Sequence, residues 1–216
     1  MVAGMRRRAP APVATAGPAQ RGEVAAAQRA RLLAAMAEVV AEVGYEESTV
    51  QLVLDRSGIS RKTFYEQFAD REDCFVAAYD AATADVLDTV AAACAGADVS
   101  ERRIELGLEA LLDWCTAHPA AARMCVVEVF AAGSRARQRR AATMERLGEL
   151  AERALDGAGA AGAGGAQLDR LTARALVGAV HELIYRPLER GDAQALDGLA
   201  DEILAAHVEP LLATRR

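Results

Sequence analysis

The sequence predicts an all-α protein: an N-terminal three-helix helix-turn-helix domain followed by a C-terminal helical bundle, about nine helices altogether. Three observations carry that prediction. The 216 residues are dominated by Ala, Leu, Val, Arg and Glu, with 4% aromatics, which favours helix over strand. Apolar residues recur at helical spacing along most of the chain. Residues that start and stop helices stand at the ends of these periodic segments.

The elements follow in order. Residues 1–22 mix Ala, Pro and Gly with Arg6, Arg7 and Arg8 and show no apolar periodicity, so a disordered arm is expected there. Leu32, Met36, Val39, Val40 and Val43 define a first helix over 23–43, with Gly44 placed where a helix end takes a positive φ. Ser48-Thr49-Val50-Gln51 has the S-x-x-Q spacing of a capping box and opens a short helix through Arg56. Ser57-Gly58-Ile59 is a turn, Ser60 caps a helix over Arg61 to Phe68, and Asp70 caps the next, whose first turn carries Glu72 and Asp73.

Further periodicity predicts helices at roughly 71–94, 101–117, 119–131 and 135–156, with Pro119 suited to a first turn. The Gly-Ala tract from Asp156 to Gln167 is expected to loop out, a passive connector without function. Two amphipathic segments follow at about 168–190 and 193–213, the first kinked or ended by Pro187. The expected domains are therefore the arm 1–22, a helix-turn-helix domain 23–70 and a second domain 71–216.

Charge divides unevenly along the chain. Residues 1–69 hold nine basic and seven acidic side chains, whereas residues 70–216 hold sixteen and twenty-four, within an overall charge of −6. A chain that coats nucleic acid indiscriminately is excluded, and the front is the part suited to phosphate. Lys62 is the sole lysine, an Arg and Ala bias that points to a high-GC bacterial genome. Cys74, Cys94, Cys115 and Cys125 lack C-x-x-C spacing and read as reduced apolar thiols. No apolar run approaches the ~20 residues of a membrane span, and residues 1–21 lack a signal-peptide core, so a cytoplasmic protein is expected.

The segment Thr49 to Phe68 reads as two helices about a tight turn containing Gly58. Leu52, Val53, Ile59, Phe64 and Phe68 supply core, while Lys62, Thr63, Glu66 and Gln67 fall on the opposite side of the second helix, where polar side chains can enter a major groove. This stretch, followed by Ala69-Asp70-Arg71-Glu72, resembles the DNA-binding domain of TetR-family regulators over roughly residues 28–75; its most specific part is Gly58-Ile59-Ser60 leading to Thr63-Phe64-Tyr65 and Phe68, then Arg71.

The resemblance implies DNA-binding roles residue by residue. Arg61, Lys62 and Thr63 match positions that meet base edges or nearby phosphates, and Tyr65 matches a phosphate-contacting tyrosine. Thr49 and Arg71 match helix-start positions that hold the DNA backbone, and Gln67 can assist from the same face. The arm, rich in Arg, is a candidate for minor-groove contact. Leu54 and Ser57 depart from the small alanines usual in the family, so the operator sequence does not follow by analogy. Glu66 is unfavourable near phosphate unless it accepts from cytosine.

The resemblance also implies that residues 71–216 bind an effector and dimerise through the last two helices. Leu168, Leu171, Ala175, Leu176, Val180, Leu183 and Ile184 form one apolar stripe, and Leu196, Leu199, Ile203, Leu204, Val208, Leu211 and Leu212 another. Trp114, Met124, Glu128, Phe130, His181 and Tyr185, set among apolar helical neighbours, are the ligand-binding candidates, suited to a small and largely apolar effector.

A repressor that releases a palindromic operator on binding its effector is the leading expectation. The alternative is a DNA-binding recruitment module, for instance in chromosome organisation, without an effector. Catalysis is not expected, and neither a cofactor nor a metal: His118, His181 and His207 lack partners at ligand spacing, and Gly159 to Gly165 lacks the Lys-Ser/Thr ending of a phosphate loop.

Overall fold

The computed structural model describes residues 18–155 and 163–210, and every described element is helical. Helix α1 spans Pro18–Glu47, α2 Val50–Ser57, α3 Arg61–Gln67 and α4 Arg71–Ala95. Helices α5 (Ser100–Ala117), α6 (Pro119–Val126), α7 (Gly133–Leu155), α8 (Ala163–Glu189) and α9 (Leu199–Ile203) complete the bundle. Short 3₁₀ turns lie at Glu128–Phe130 and Ala193–Leu196, and a π turn, Leu204–Val208, continues α9.

Local capping explains the tight succession of helices around residue 60. Gly58, at φ 66 and ψ 22, ends α2 in the left-handed conformation, its N–H donating to Leu54 O at 2.8 Å. Ser60 Oγ then accepts from Thr63 N–H at 3.2 Å and opens α3. Asp70 Oδ1 accepts from Asp73 N–H at 2.8 Å to open α4, while Asp73 reaches back to Ala69 N–H at 3.2 Å. Pro119 occupies the first turn of α6.

Several expectations are corrected. Helix α1 begins at Pro18, so residues 18–22 are helical; residues 1–17 of the expected arm lie outside the described residues. Thr49, not Ser48, caps α2, accepting from Leu52 N–H at 3.2 Å. Ser48 is buried and donates to Tyr45 O at 2.7 Å, and Gln51 turns outward to Asp55 and Arg61 instead of reaching back. Leu52 is 39% exposed, and its expected place in the core is taken by Leu54.

Residues 163–167 of the Gly-Ala tract belong to α8, since extending a helix already nucleated avoids the nucleation cost that an isolated Gly-Ala segment would meet; residues 156–162 lie outside the described residues. The predicted helix over 119–131 stops at Val126 and gives way to the 3₁₀ turn. The predicted helix over 193–213 is broken because Gly198, at φ 78, resets the chain direction before α9. Leu211 and Leu212 lie outside the described residues, as does the side chain of Leu168. Pro187 stands in the last turn of α8, which ends two residues later.

One core cluster joins α1 (Leu32, Met36, Val40), α2 (Val53, Leu54), α3 (Phe64) and α4 (Phe75, Tyr79), and includes Met124 of α6 and Ala136 of α7. Packing is therefore continuous across residue 70. A second cluster joins α4, α5, α6 and α8 around Leu108, Leu112, Val180 and Ile184 and takes in Leu196 and Ile203. Ala154, Leu155, Ala173 and Val208 belong to a third.

Candidate nucleic-acid interface and internal cavity

The buried residues of α3 set which side chains it presents outward. Phe64 and Phe68 are buried, Phe68 beneath the Arg29 guanidinium at 4.6 Å from its ring centroid. Arg61, Lys62, Tyr65 and Glu66 are consequently exposed, with Thr63 and Gln67 half-buried beside them. Tyr65 is 50% exposed, its ring edge-on to Phe64 at 5.3 Å, so it lies on the surface and not in the core.

Within this face the side chains are held differently. Arg61 donates to Gln51 Oε1 at 2.5 Å, and Gln51 donates to Asp55 at 2.7 Å, bracing α3 against α2. Lys62 is nearly free: its pair with Glu66 is 3.7 Å long and its side chain 87% exposed. Thr63 Oγ1 shares a hydrogen bond with Ser60 Oγ at 3.0 Å. Thr49 is exposed, and because its oxygen accepts the capping bond, its hydroxyl proton is free to donate.

Arg71 is placed differently from the other six. Its Nη1 donates to Tyr45 O at 2.9 Å, to Glu46 O at 3.2 Å and to Ser48 O, and its guanidinium lies 4.2 Å from the Tyr45 ring centroid. It thus ties the start of α4 to the α1–α2 connection, an internal job the sequence did not disclose. Gln67 Oε1 is buried without a hydrogen-bond partner among the described residues.

Behind this domain α4, α5, α6, α7 and α8 enclose a cavity of about 150 Å³. Its wall is mostly aliphatic. Polar groups reach it from Tyr79 and Thr83 of α4, from Arg140 and Thr143 of α7, and from His181 of α8. Cys115 and Cys125 also line it, and burial pushes the Cys115 thiol up to about 12, far from thiolate chemistry.

The ligand candidates divide into three groups. Trp114 and His181 line the cavity; the Trp114 Nε1–H donates to Asp85 Oδ2 at 2.6 Å. Phe130 and Tyr185 line an open cleft at its mouth, together with Arg140, His181, Glu182, Arg186 and Glu189. Met124 and Glu128 reach neither. Met124 is fully buried in the N-terminal core cluster. Glu128, also buried, accepts from Tyr45 N–H at 3.0 Å and pairs with Arg123 at 3.1 Å. Arg123 in turn donates to Leu188 O at 2.7 Å and to Glu189 O. The carboxylate therefore joins the end of α1 to the end of α8 through α6.

Sequence reasoning missed Arg140, which stands where cavity and cleft meet. Its Nη2 donates to His181 Nε2 at 3.2 Å, so the imidazole accepts there in its neutral form. Burial, and secondly the Arg140 charge, hold the His181 pKa below its ordinary 6.5.

An exposed polar helix mounted on a buried three-helix core, with further helices packed behind it, is helix-turn-helix architecture, the arrangement used by DNA-binding regulators. Residues 32–78 match the family of bacterial regulatory proteins described as tetR. The chain carries a DNA-binding domain of the tetR family and the overall fold of that family's transcriptional regulators. Similar solved structures include the fatty acid degradation regulator FadR from Bacillus halodurans, 16% identical with a TM-score of 0.67 over 82% of this chain and 97% of that one. FadR from Bacillus subtilis in complex with stearoyl-CoA is 17% identical with a TM-score of 0.67, over 82% and 98% of the two chains. A tetR-family regulatory protein from Rhodococcus RHA1 is 17% identical with a TM-score of 0.65, over 83% and 96%. No curated protein matches the sequence. Among the described residues no helix is long and apolar enough to cross a membrane.

Proposed function

We propose that this regulator is a ligand-responsive repressor that grips a palindromic operator as a dimer. The observation that carries the reading is that α4 serves both parts: its first turns, Cys74 to Tyr79, complete the core beneath α3, and Tyr79, Thr83, Val86 and Val90 go on to wall the cavity. A molecule entering the cavity would displace the helix that seats the DNA-binding unit.

In this reading Arg61, Lys62 and Thr63 meet base edges or nearby phosphates, and Tyr65, Gln67 and Thr49 hold the DNA backbone. Arg71 contributes by fixing the α1–α2 connection on which Thr49 stands. The second copy packs against the side of α8 on which Leu171, Ala175, Gly178 and Leu183 are exposed in the single chain. Effector binding moves the two recognition helices away from the ~34–36 Å spacing of successive major grooves.

A small, largely apolar effector suits the cavity: an apolar space of about this size accommodates a benzene-sized body. The stearoyl chain bound by the Bacillus subtilis neighbour is far larger, so we assign this chain a smaller ligand. The test is operator binding by Arg61→Ala and Lys62→Ala variants. Each is expected to weaken specific binding by roughly ten- to a hundredfold, the ~1–3 kcal/mol of a base-reading contact, with unfolding unchanged. Unaltered affinity in both would remove α3 as the recognition helix.

A further inference from the structure

Arg140 brings an unmatched positive charge to the mouth of an apolar cavity. Its Nε is buried without a hydrogen-bond partner, and its other close contacts are neutral: the His181 ring nitrogen at 3.2 Å and the face of Phe130, 4.6 Å from the guanidinium carbon. No carboxylate pairs with it among the described residues. The neighbouring Arg139, by contrast, pairs with Asp80 at 3.4 Å. The Arg140 side chain is half-buried, and a donor atom of a charged group that is buried without an acceptor carries a desolvation cost that a ligand's anion would offset.

Two further features narrow the ligand. The cavity of about 150 Å³ limits the apolar body to the size of an aromatic ring or a short alkyl chain. The outer cleft sets Arg140 and Arg186 against Glu182 and Glu189, so it offers no net positive charge to a headgroup bearing several negative charges. We infer that the effector is a small amphiphilic monocarboxylate, its apolar body in the cavity beside Trp114 and its carboxylate on the Arg140 guanidinium. This rests on the ligand-responsive reading of the cavity and adds the charge and size of what fills it.

Trp114, the sole tryptophan, lines the cavity and reports binding by its own fluorescence. Phenylacetate and octanoate, compared with 2-phenylethanol and octan-1-ol, distinguish aryl from alkyl acids and acids from neutral molecules of the same body. At least one acid is expected to change the fluorescence at a concentration tenfold or more below its alcohol. That advantage should vanish in Arg140→Gln and persist in Arg140→Lys. Alcohols binding as tightly as acids in the wild type, an acid preference intact in Arg140→Gln, tighter binding of octanoyl-CoA than of octanoate, or no response to any of these probes would each overturn the inference. Acids that bind at Arg140 yet leave an operator fragment bound would support the site while contradicting the repressor reading.

Discussion

Gly44 shows how one residue sets the geometry of the DNA-binding unit. Its φ of 80 and ψ of 160 lie in a region that side chains with a Cβ rarely occupy, and this conformation kinks α1, separating the long helical stretch before Gly44 from the short turn Tyr45–Glu47. Gly44→Ala is expected to cost ~1–3 kcal/mol of stability, read as a lowered denaturant midpoint with the slope unchanged. His181 makes a different prediction. Because folding favours its neutral ring, the unfolded chain takes up a proton first as pH falls. The His181 contribution is therefore complete above about 6.5 and is lost as pH falls from there towards the lower folded value, Arg140 opposing protonation and Glu182 favouring it. Denaturation at stepped pH should show this decline in the wild type and lose it in His181→Gln. Residue roles were legible where the cause is local: Ser60, Gly58, Asp70 and Pro119 act within a turn of their own position. Thr49 displaced Ser48 as the cap because Ser48 is drawn into burial beneath Tyr45, and Gln51 found Arg61 across the turn, a partner no capping pattern contains.

Between elements, the Glu128 carboxylate is the joint that matters most. It satisfies a backbone N–H at the end of α1 and holds Arg123, which in turn binds the last carbonyls of α8. Glu128→Ala would leave the Tyr45 N–H without its acceptor and Arg123 without its counter-charge, a loss of ~1–3 kcal/mol, or on the order of a few degrees in Tm for a chain of this length. A scanning calorimetry trace with Tm unchanged would remove the joint from the account. Glu128 looked like a pocket residue because it stands as a carboxylate among apolar helical neighbours, and its partner Tyr45 lies 83 residues away. Arg140 was hidden for the opposite reason. It stands in a run with Arg135, Arg137 and Arg139, and only the packing of α7 against α4 and α8 shows which of the four meets the cavity.

For the whole molecule, helix type and order were legible because periodicity and caps repeat along the chain, whereas the partition of apolar surface was not. Periodicity alone did not distinguish intrachain core from partner surface in the two C-terminal stripes, and the expected dimer rested on the family resemblance. In the structure Leu196, Ile203 and Val208 are consumed by the chain's own core, as are Val180 and Ile184 of the α8 stripe, while Leu171 and Leu183 of α8 remain 58% and 38% exposed. The proposed second copy is accordingly placed against this side of α8, a narrower surface than the last two helices expected from the sequence. Leu171→Glu with Leu183→Glu is expected to give a monomer by sedimentation, with the helical content of the wild type and operator affinity reduced at least a hundredfold, since one half-site grip cannot replace two. A dimer that persists with both changes would place the interface elsewhere.

The central claim is that the exposed face of α3 reads a specific DNA sequence. Its most direct test is selection of bound fragments from genomic DNA by the purified protein over a range of salt concentrations, with Lys62→Ala alongside. One short palindrome is expected, still enriched at salt where phosphate-only attraction has faded, with weaker retention and a shallower salt dependence in the variant. Binding that disappears as salt rises, with no preferred site and no difference between wild type and variant, would contradict it.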